Sequence, residues 1–148
     1  MRIALGADEA SHEVDVIDEL LRAEGHVVTR YGKAAGRDES WGTTGQRVAE
    51  AVAAGEHDQG VVCCWTGTGV SMAANKVPGV RAALCVDAET ARGARKWNDA
   101  NVLALSLRLT SAAVAKEILL AWLGEPYGGT EDESLRVLSA LDARTRGS

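Results

Sequence analysis

The chain has 148 residues, 46% hydrophobic and 25% charged, with a formal charge of −5, which fits one ordinary globular domain around one core. The negative balance and the lack of any lysine- and arginine-rich run argue against nucleic acid as a partner, and no apolar run approaches the roughly 20 residues of a membrane helix. The first residues turn polar too early for a signal peptide, and the cysteines and histidines lack disulfide or metal-ligand spacing, so we expect free thiols, no metal and a cytoplasmic location.

Strand and helix patterns alternate along the whole chain, residues 1–148, which we expect to form a single domain. The predicted strands are short apolar runs at residues 2–6, 26–31, 60–64, 80–86 and 102–106. The predicted helices lie at residues 14–21, 46–54, 70–76, 88–97, 111–123 and 131–143. We expect Thr110 to cap the fifth helix and Trp41 to lie in a loop before the second. These repeated units predict an α/β fold, a three-layer Rossmann-like parallel sheet of five strands with helices on both faces.

The stretch GVVCCWTGTGVSMAANK, residues 60–76, carries most of the chemical information. A strand buried on both faces ends at Cys64, the TGTG loop (residues 66–69) follows, and a short helix begins. Ligands of such sheets bind beyond the carboxyl ends of the strands, where the amides of a glycine-rich loop can hold an anion and favour a thiolate. Cys64 is therefore the better candidate base, since Cys63 should point to the opposite face and Cys85 is more typical of packing. The alternative is a tight turn with two buried cysteines.

Five sequence blocks in this order resemble the ribose-5-phosphate isomerase B and galactose-6-phosphate isomerase family. They are LGAD at 5–8, GEHDQGVV at 55–62, CWTGTGVSMAANKVPGVRAAL at 64–84, NDANVLAL at 98–105 and AWLG at 121–124. The resemblance implies an aldose–ketose isomerase of carbohydrate metabolism that works through a cis-enediolate without a cofactor. It also implies a small sugar or sugar phosphate as substrate, and a homodimer or homotetramer with sites built across the subunit interface.

The resemblance also implies roles for single residues. Cys64 matches the base that moves a proton between C1 and C2. Some relatives use a glutamate of the loop as the base instead, and because this chain has Val70 at that position, the match of Cys64 is strengthened. Thr66 matches the oxyanion-binding loop, and Asp8 matches an acidic residue that orients hydroxyls or helps transfer protons. The candidate substrate-binding residues are Glu9, Trp41, Trp65, Gly67, Thr68, Gly69, Ser71, Trp97, Asn98, Arg108 and Arg136. Asn98 matches an asparagine that holds a substrate oxygen.

Three positions depart from the family pattern. Glu9 stands where the family usually has a histidine near the phosphate, and Trp97 stands where it usually has a histidine assigned to ring opening. Asp132 replaces the first of two clamp arginines, of which Arg136 matches the second. A carboxylate repels a phosphate by about 1 kcal/mol per charge pair in water and by more in a partly dry pocket. We therefore expect a changed substrate, which is non-phosphorylated, differently charged or already open-chain.

Several alternatives stay open. Glu9 and Asp132 could point to solvent, while Arg108 and Arg136 still bind phosphate. In some relatives, the arginine that Arg108 resembles reaches the phosphate from the neighbouring subunit. The scaffold could also serve an epimerase, a keto-uronate isomerase or a non-catalytic sugar-binding subunit. Trp41 could be a substrate wall or an interface residue, whereas Trp65 should narrow the pocket. The helix at 131–143 is expected to pack on a partner subunit.

Overall fold

The computed structural model describes residues 1–147 as a five-stranded parallel sheet with helices on both faces. The strands are β1 (Arg2–Ala7), β2 (Val27–Gly32), β3 (Gln59–Cys64), β4 (Ala82–Leu84) and β5 (Val102–Ser106), in the spatial order β2-β1-β3-β5-β4. The helices are α1 (His12–Ala23), α2 (Trp41–Ala53), α3 (Thr68–Asn75), α4 (Ala88–Asn98), α5 (Ala112–Gly124) and α6 (Asp132–Gly147). The predicted fold class is thus confirmed. Within residues 1–147, every helix is too short or too polar to cross a bilayer.

The core is divided between the two faces of the sheet, because successive side chains of a strand point in opposite directions. Cys63 packs on the face covered by α1, α4 and α5, and Cys64 packs on the face covered by α2 and α3. The predicted opposition of these two cysteines is confirmed, and both are buried. Trp122 of α5 is 1% exposed, and its Nε1 donates a hydrogen bond to Gln59 Oε1 at 2.9 Å, which makes it a core residue.

The start of α2 differs from the prediction. Trp41, expected in a loop, is the first residue of this helix, because the Ser40 side chain caps it by accepting a hydrogen bond from the Thr43 backbone N–H at 3.2 Å. The segment WGTTG reads as a turn because it is rich in glycine and threonine, which are poor helix formers. The cap and the packing of α2 against the sheet outweigh that local preference.

Three other boundaries also differ. Ser111, and not Thr110, caps α5, since its Oγ accepts a hydrogen bond from the Val114 N–H at 3.2 Å. The strand predicted at 80–86 is only three residues long, so Cys85 lies directly after β4 although it is fully buried. The predicted C-terminal helix is present and extends further than expected, as α6.

Different candidate residues lie at the two ends of the parallel strands. The carboxyl ends of β1, β3 and β5 lie side by side, with Ala7 paired to Cys63 and Cys64 paired to Ser106. This end is called the carboxyl edge below, and the opposite end the amino edge. Helix α4 begins at the carboxyl edge and runs back beside the sheet, so that its last residue, Asn98, lies just before the start of β5. Its 11 residues span about 16 Å, which separates the two edges.

Candidate active site

Cys64 lies at the centre of the carboxyl edge, where β3 ends. It is 5% exposed and packs in a cluster with Val70 of α3 and the partly buried Leu84. Pairing continues beyond the strand, because the Leu107 N–H donates to the Cys64 carbonyl at 3.0 Å and the Arg108 N–H to the Trp65 carbonyl at 2.9 Å. Cys64 is thus almost fully buried directly beneath the carboxyl edge.

The TGTG loop follows Cys64, and its last two residues, Thr68 and Gly69, already form the start of α3, which begins two residues before the predicted helix at 70–76. The hydroxyls of Thr66 and Thr68 are hydrogen-bonded to each other at 2.7 Å. Gly67, with φ of 75°, precedes the helix, and no side chain of residues 1–147 caps this end of α3. The first amides of α3 thus provide the donors that an oxyanion requires.

Gly67 is fixed by its surroundings as well as by its backbone. A Cβ at this position would lie 2.9 Å from both the Leu105 carbonyl carbon and the Ser106 nitrogen, and 2.6 Å from Leu84 Cδ1. The positive φ disfavours any other residue in addition. The loop is therefore pressed against the end of β5, and only glycine fits between them.

Ser106 holds the neighbouring loop, a role that sequence reasoning missed. Its Oγ donates a hydrogen bond to the Trp65 carbonyl at 3.1 Å and accepts one from the Leu109 N–H at 3.2 Å. The side chain is 1% exposed, so it is a structural link between the loops after β3 and β5. The sequence feature that could have indicated this role is the position of Ser106, a polar residue at the end of an otherwise apolar strand.

Asp8 and Glu9 follow β1 and are both half-buried. Burial, and then the neighbouring Cys64 and the Asp8 carboxylate, raise the pKa of Cys63 to about 12. Cys63 is consequently a neutral thiol near pH 7. The Asp8 carboxylate is close enough to the end of β3 to act on it electrostatically.

The rim of the carboxyl edge carries two exposed tryptophans. Trp65 is 55% exposed and Trp41 is 48% exposed. The Trp41 ring packs on Gly69, where a Cβ would lie 2.8 Å from Trp41 Cε3. The candidate residues that one chain gathers at this edge are Asp8, Glu9, Trp41, Cys64, Trp65, Thr66, Gly67, Thr68, Gly69, Ser71 and Arg108.

The remaining candidates lie elsewhere in the same chain. Trp97 and Asn98 end α4 at the amino edge and line a groove of about 500 Å³ beside β4. The Trp97 ring covers Gly93, one turn earlier in the helix. Arg136 is exposed on α6. A single chain does not bring these three residues to Cys64.

Helix α6 is tied to the body of the chain by carboxylates. The Tyr127 hydroxyl donates to Asp132 Oδ1 at 2.8 Å and accepts a hydrogen bond from the Glu131 N–H at 2.8 Å. Asp142 accepts a hydrogen bond from the Gly79 N–H at 2.8 Å. Asp132, at the first clamp position, is thus engaged within its own chain.

The model of the Ribose/Galactose Isomerase family matches residues 3–138 of the chain. The chain belongs to this family. It is 38% identical to D-erythrulose-4-phosphate isomerase of Pectobacterium atrosepticum over 131 residues, which are 87% of this chain and 86% of that protein. It is 36% identical to a galactose-6-phosphate isomerase subunit of Clostridium acetobutylicum, over 96% of this chain and 82% of that subunit.

The structure agrees with this assignment. Ribose-5-phosphate isomerase B of Clostridium thermocellum superposes with a TM-score of 0.91 at 36% identity, covering 97% of this chain and 99% of that chain. As a member of the ribose/galactose isomerase family, the chain is a sugar phosphate isomerase of the aldose–ketose type. Of the substrate changes considered from the sequence, those that keep a phosphate are therefore favoured.

Proposed function

We propose that this isomerase acts on a short, open-chain sugar phosphate, with erythrulose 4-phosphate as the first candidate. Trp97, at the position of the ring-opening histidine, carries the proposal, because an indole cannot act as a general acid near neutral pH. A four-carbon sugar with a phosphate on O4 has no free hydroxyl that could close a five-membered ring. Such a substrate needs no ring-opening acid, and the 38% identity to an erythrulose-4-phosphate isomerase supports the same substrate class.

The proposed chemistry uses the carboxyl edge of one chain. The Cys64 thiolate removes a proton from the carbon next to the carbonyl, which yields a cis-enediolate and a neutral thiol. The hydroxyl of Thr66 and the amides of Gly67–Gly69 stabilise the enediolate oxygen, while Asp8 moves the hydroxyl proton between O1 and O2. Cys64 then returns its proton to the neighbouring carbon. The uncapped start of α3 supports this assignment, since its backbone N–H groups favour negative charge on the enediolate oxygen.

For the phosphate, we propose Arg108 of one chain together with Arg136 of a second copy. Glu9 and Asp132 leave this site with fewer cations than the family pattern provides. Each charge-assisted hydrogen bond that is lost removes about 1.5–3 kcal/mol of binding. Binding of the phosphate should thus rely on the two arginines, with Trp65 of the first chain and Trp97 of the second copy supplying apolar walls around the short carbon chain.

A substrate panel tests the open-chain proposal. We expect kcat/KM for erythrulose 4-phosphate to exceed that for ribose 5-phosphate by about 10²-fold, the contribution of a missing general acid. Ribulose 5-phosphate, an open-chain ketose of five carbons, is the matched control that separates ring opening from chain length. Trp97→His should raise turnover of ribose 5-phosphate selectively. Equal efficiency of wild-type enzyme on ribose 5-phosphate and erythrulose 4-phosphate would refute the proposal.

We further propose that the site is completed by a second copy in a homodimer, or in a homotetramer built from such dimers. The support is the path of α4, which puts Asn98 at the opposite edge from Cys64 of its own chain. The exposed Val137 and Leu138 of α6 suit a subunit interface. Each chain would then serve as one isomerase domain, in the cytoplasm, where its cysteines stay reduced.

Complementation between inactive variants tests the shared site. Cys64→Ala and Asn98→Ala should each be nearly inactive alone. Co-expressed with different tags, they should form mixed dimers in which one site has both native residues, restoring about a quarter of the wild-type activity to a random mixture. A mixture as inactive as its components, or a monomer by light scattering, would contradict the shared site.

A further inference from the structure

Helices α2 and α3 are packed unusually closely through two glycines, one on each helix. A Cβ at Gly45 of α2 would lie 2.9 Å from Ala73 Cβ and 3.1 Å from the Val70 carbonyl oxygen of α3. A Cβ at Gly69 of α3 would lie 2.8 to 3.2 Å from three atoms of the Trp41 ring of α2. Each helix therefore has a glycine where the other helix approaches. The contact residues Trp41 and Gly45 are one turn apart on α2, and Gly69 and Ala73 are one turn apart on α3.

This packing places an aromatic ring directly on the TGTG loop. Gly69 has an ordinary φ, so its lack of a side chain is explained by the Trp41 ring and not by the backbone. Trp41 is itself fixed at the start of α2, which Ser40 caps and whose Thr44 and Val48 are fully buried. The ring is 48% exposed, and its covered part includes the contact with Gly69.

We propose that Trp41 is a positioning residue, whose indole packs on Gly69 and keeps the backbone N–H groups of the TGTG loop aimed at the enediolate oxygen. The inference rests on the proposed function in that this loop is taken as the oxyanion site. Gly69 lies in the first turn of α3, where a glycine restricts the backbone less than any other residue would. Oxyanion donors act only when held in place before the reaction, and an error of about 1 Å in the position of a reacting group can lower the rate about 10²-fold.

A double-mutant cycle tests the contact itself. Gly69→Ala should lower kcat at least about 10-fold in the wild-type background, because its methyl group displaces the ring or the loop. Trp41→Ala should lower kcat by a similar factor while changing KM by less than about 3-fold. In the Trp41→Ala background, Gly69→Ala should lower kcat less than about 3-fold further, because the methyl group now has room. Additive effects of the two substitutions would overturn the proposal.

A binding measurement separates positioning from a role in substrate contact or general stability. The probes are the phosphorylated hydroxamate that mimics the enediolate and the reduced sugar phosphate, an alditol. Trp41→Ala should weaken the hydroxamate by the same factor as kcat and leave alditol affinity unchanged. Equal weakening of both probes, or a raised KM with normal kcat, would make Trp41 a substrate wall and refute the proposal.

Controls keep the outcome interpretable. Met72→Ala removes another large apolar side chain, 60% exposed on α3, and should leave kcat unchanged. Trp41→Leu provides the same cycle should Trp41→Ala fail to fold in a thermal unfolding experiment. The cycle is measured with whichever sugar phosphate the wild type isomerises, so that an error in the proposed substrate does not affect it.

Discussion

Replacing Cys64 with alanine is expected to lower kcat at least about 10²-fold, because Cys64 is the proposed base that takes the proton from carbon. The free energy of unfolding should fall by only about 1 kcal/mol, since the small buried thiol leaves a small cavity. The measurements are steady-state kinetics on the preferred sugar phosphate and urea denaturation of the same preparations.

Cys63→Ala is the matched control for this prediction. Both cysteines are buried neighbours on β3, but Cys63 lies on the other face of the sheet, and burial raises its pKa to about 12. The two variants should lose similar stability, and only Cys64→Ala should lose activity. Retained activity in Cys64→Ala would remove this residue from the mechanism, and equal losses of activity would point to packing as the cause.

Gly67→Ala is expected to lower kcat/KM at least about 10²-fold and the free energy of unfolding by about 2–3 kcal/mol. Its methyl group would meet backbone atoms of Leu105 and Ser106 at 2.9 Å. These atoms belong to β5 and its end, so the loop must move instead. Its amides would then no longer face the proposed position of the enediolate oxygen.

Gly36→Ala is the control that separates the effect of backbone strain from the effect of the steric clash in Gly67→Ala. Gly36 also has a positive φ, 79°, but a Cβ there would meet nothing within 4 Å. Its substitution should lower the free energy of unfolding by about 1 kcal/mol, the strain alone, and leave kcat/KM unchanged. If Gly67→Ala behaved like Gly36→Ala in both measurements, the TGTG loop would not be the oxyanion site.

The sequence predicted the architecture because each buried strand is an apolar run, and because α1, α2, α4 and α5 each begin after a capping side chain. It located Cys64 and the TGTG loop for the same reason, since both lie at the end of a strand buried on both faces. The start of α2 was wrong because Ser40 and the tertiary contacts of Trp41 outweigh the turn preference of WGTTG. The length of β4 was wrong because pairing, and not hydrophobicity, ends an edge strand.

The arrangement of the site could be predicted only in part. Resemblance supplied Asn98 and Arg136 as candidates but not their distance from Cys64, which depends on the direction of α4 and the course of α6. The contact between Trp41 and Gly69 joins residues that are far apart in the sequence, so a local sequence pattern does not predict it. Such contacts depend on how closely two helices approach, which the three-dimensional packing decides.

The return of α4 to the amino edge would link catalysis to assembly if two chains share each site, as proposed above. If Asn98 of one molecule and Cys64 of another hold the same substrate, the substrate acts as a bridge between the two polypeptides. By mass action, a ligand that binds only the associated form drives association. Abundant sugar phosphate would then recruit monomers into working enzyme, and dilution in its absence would inactivate the protein without unfolding it.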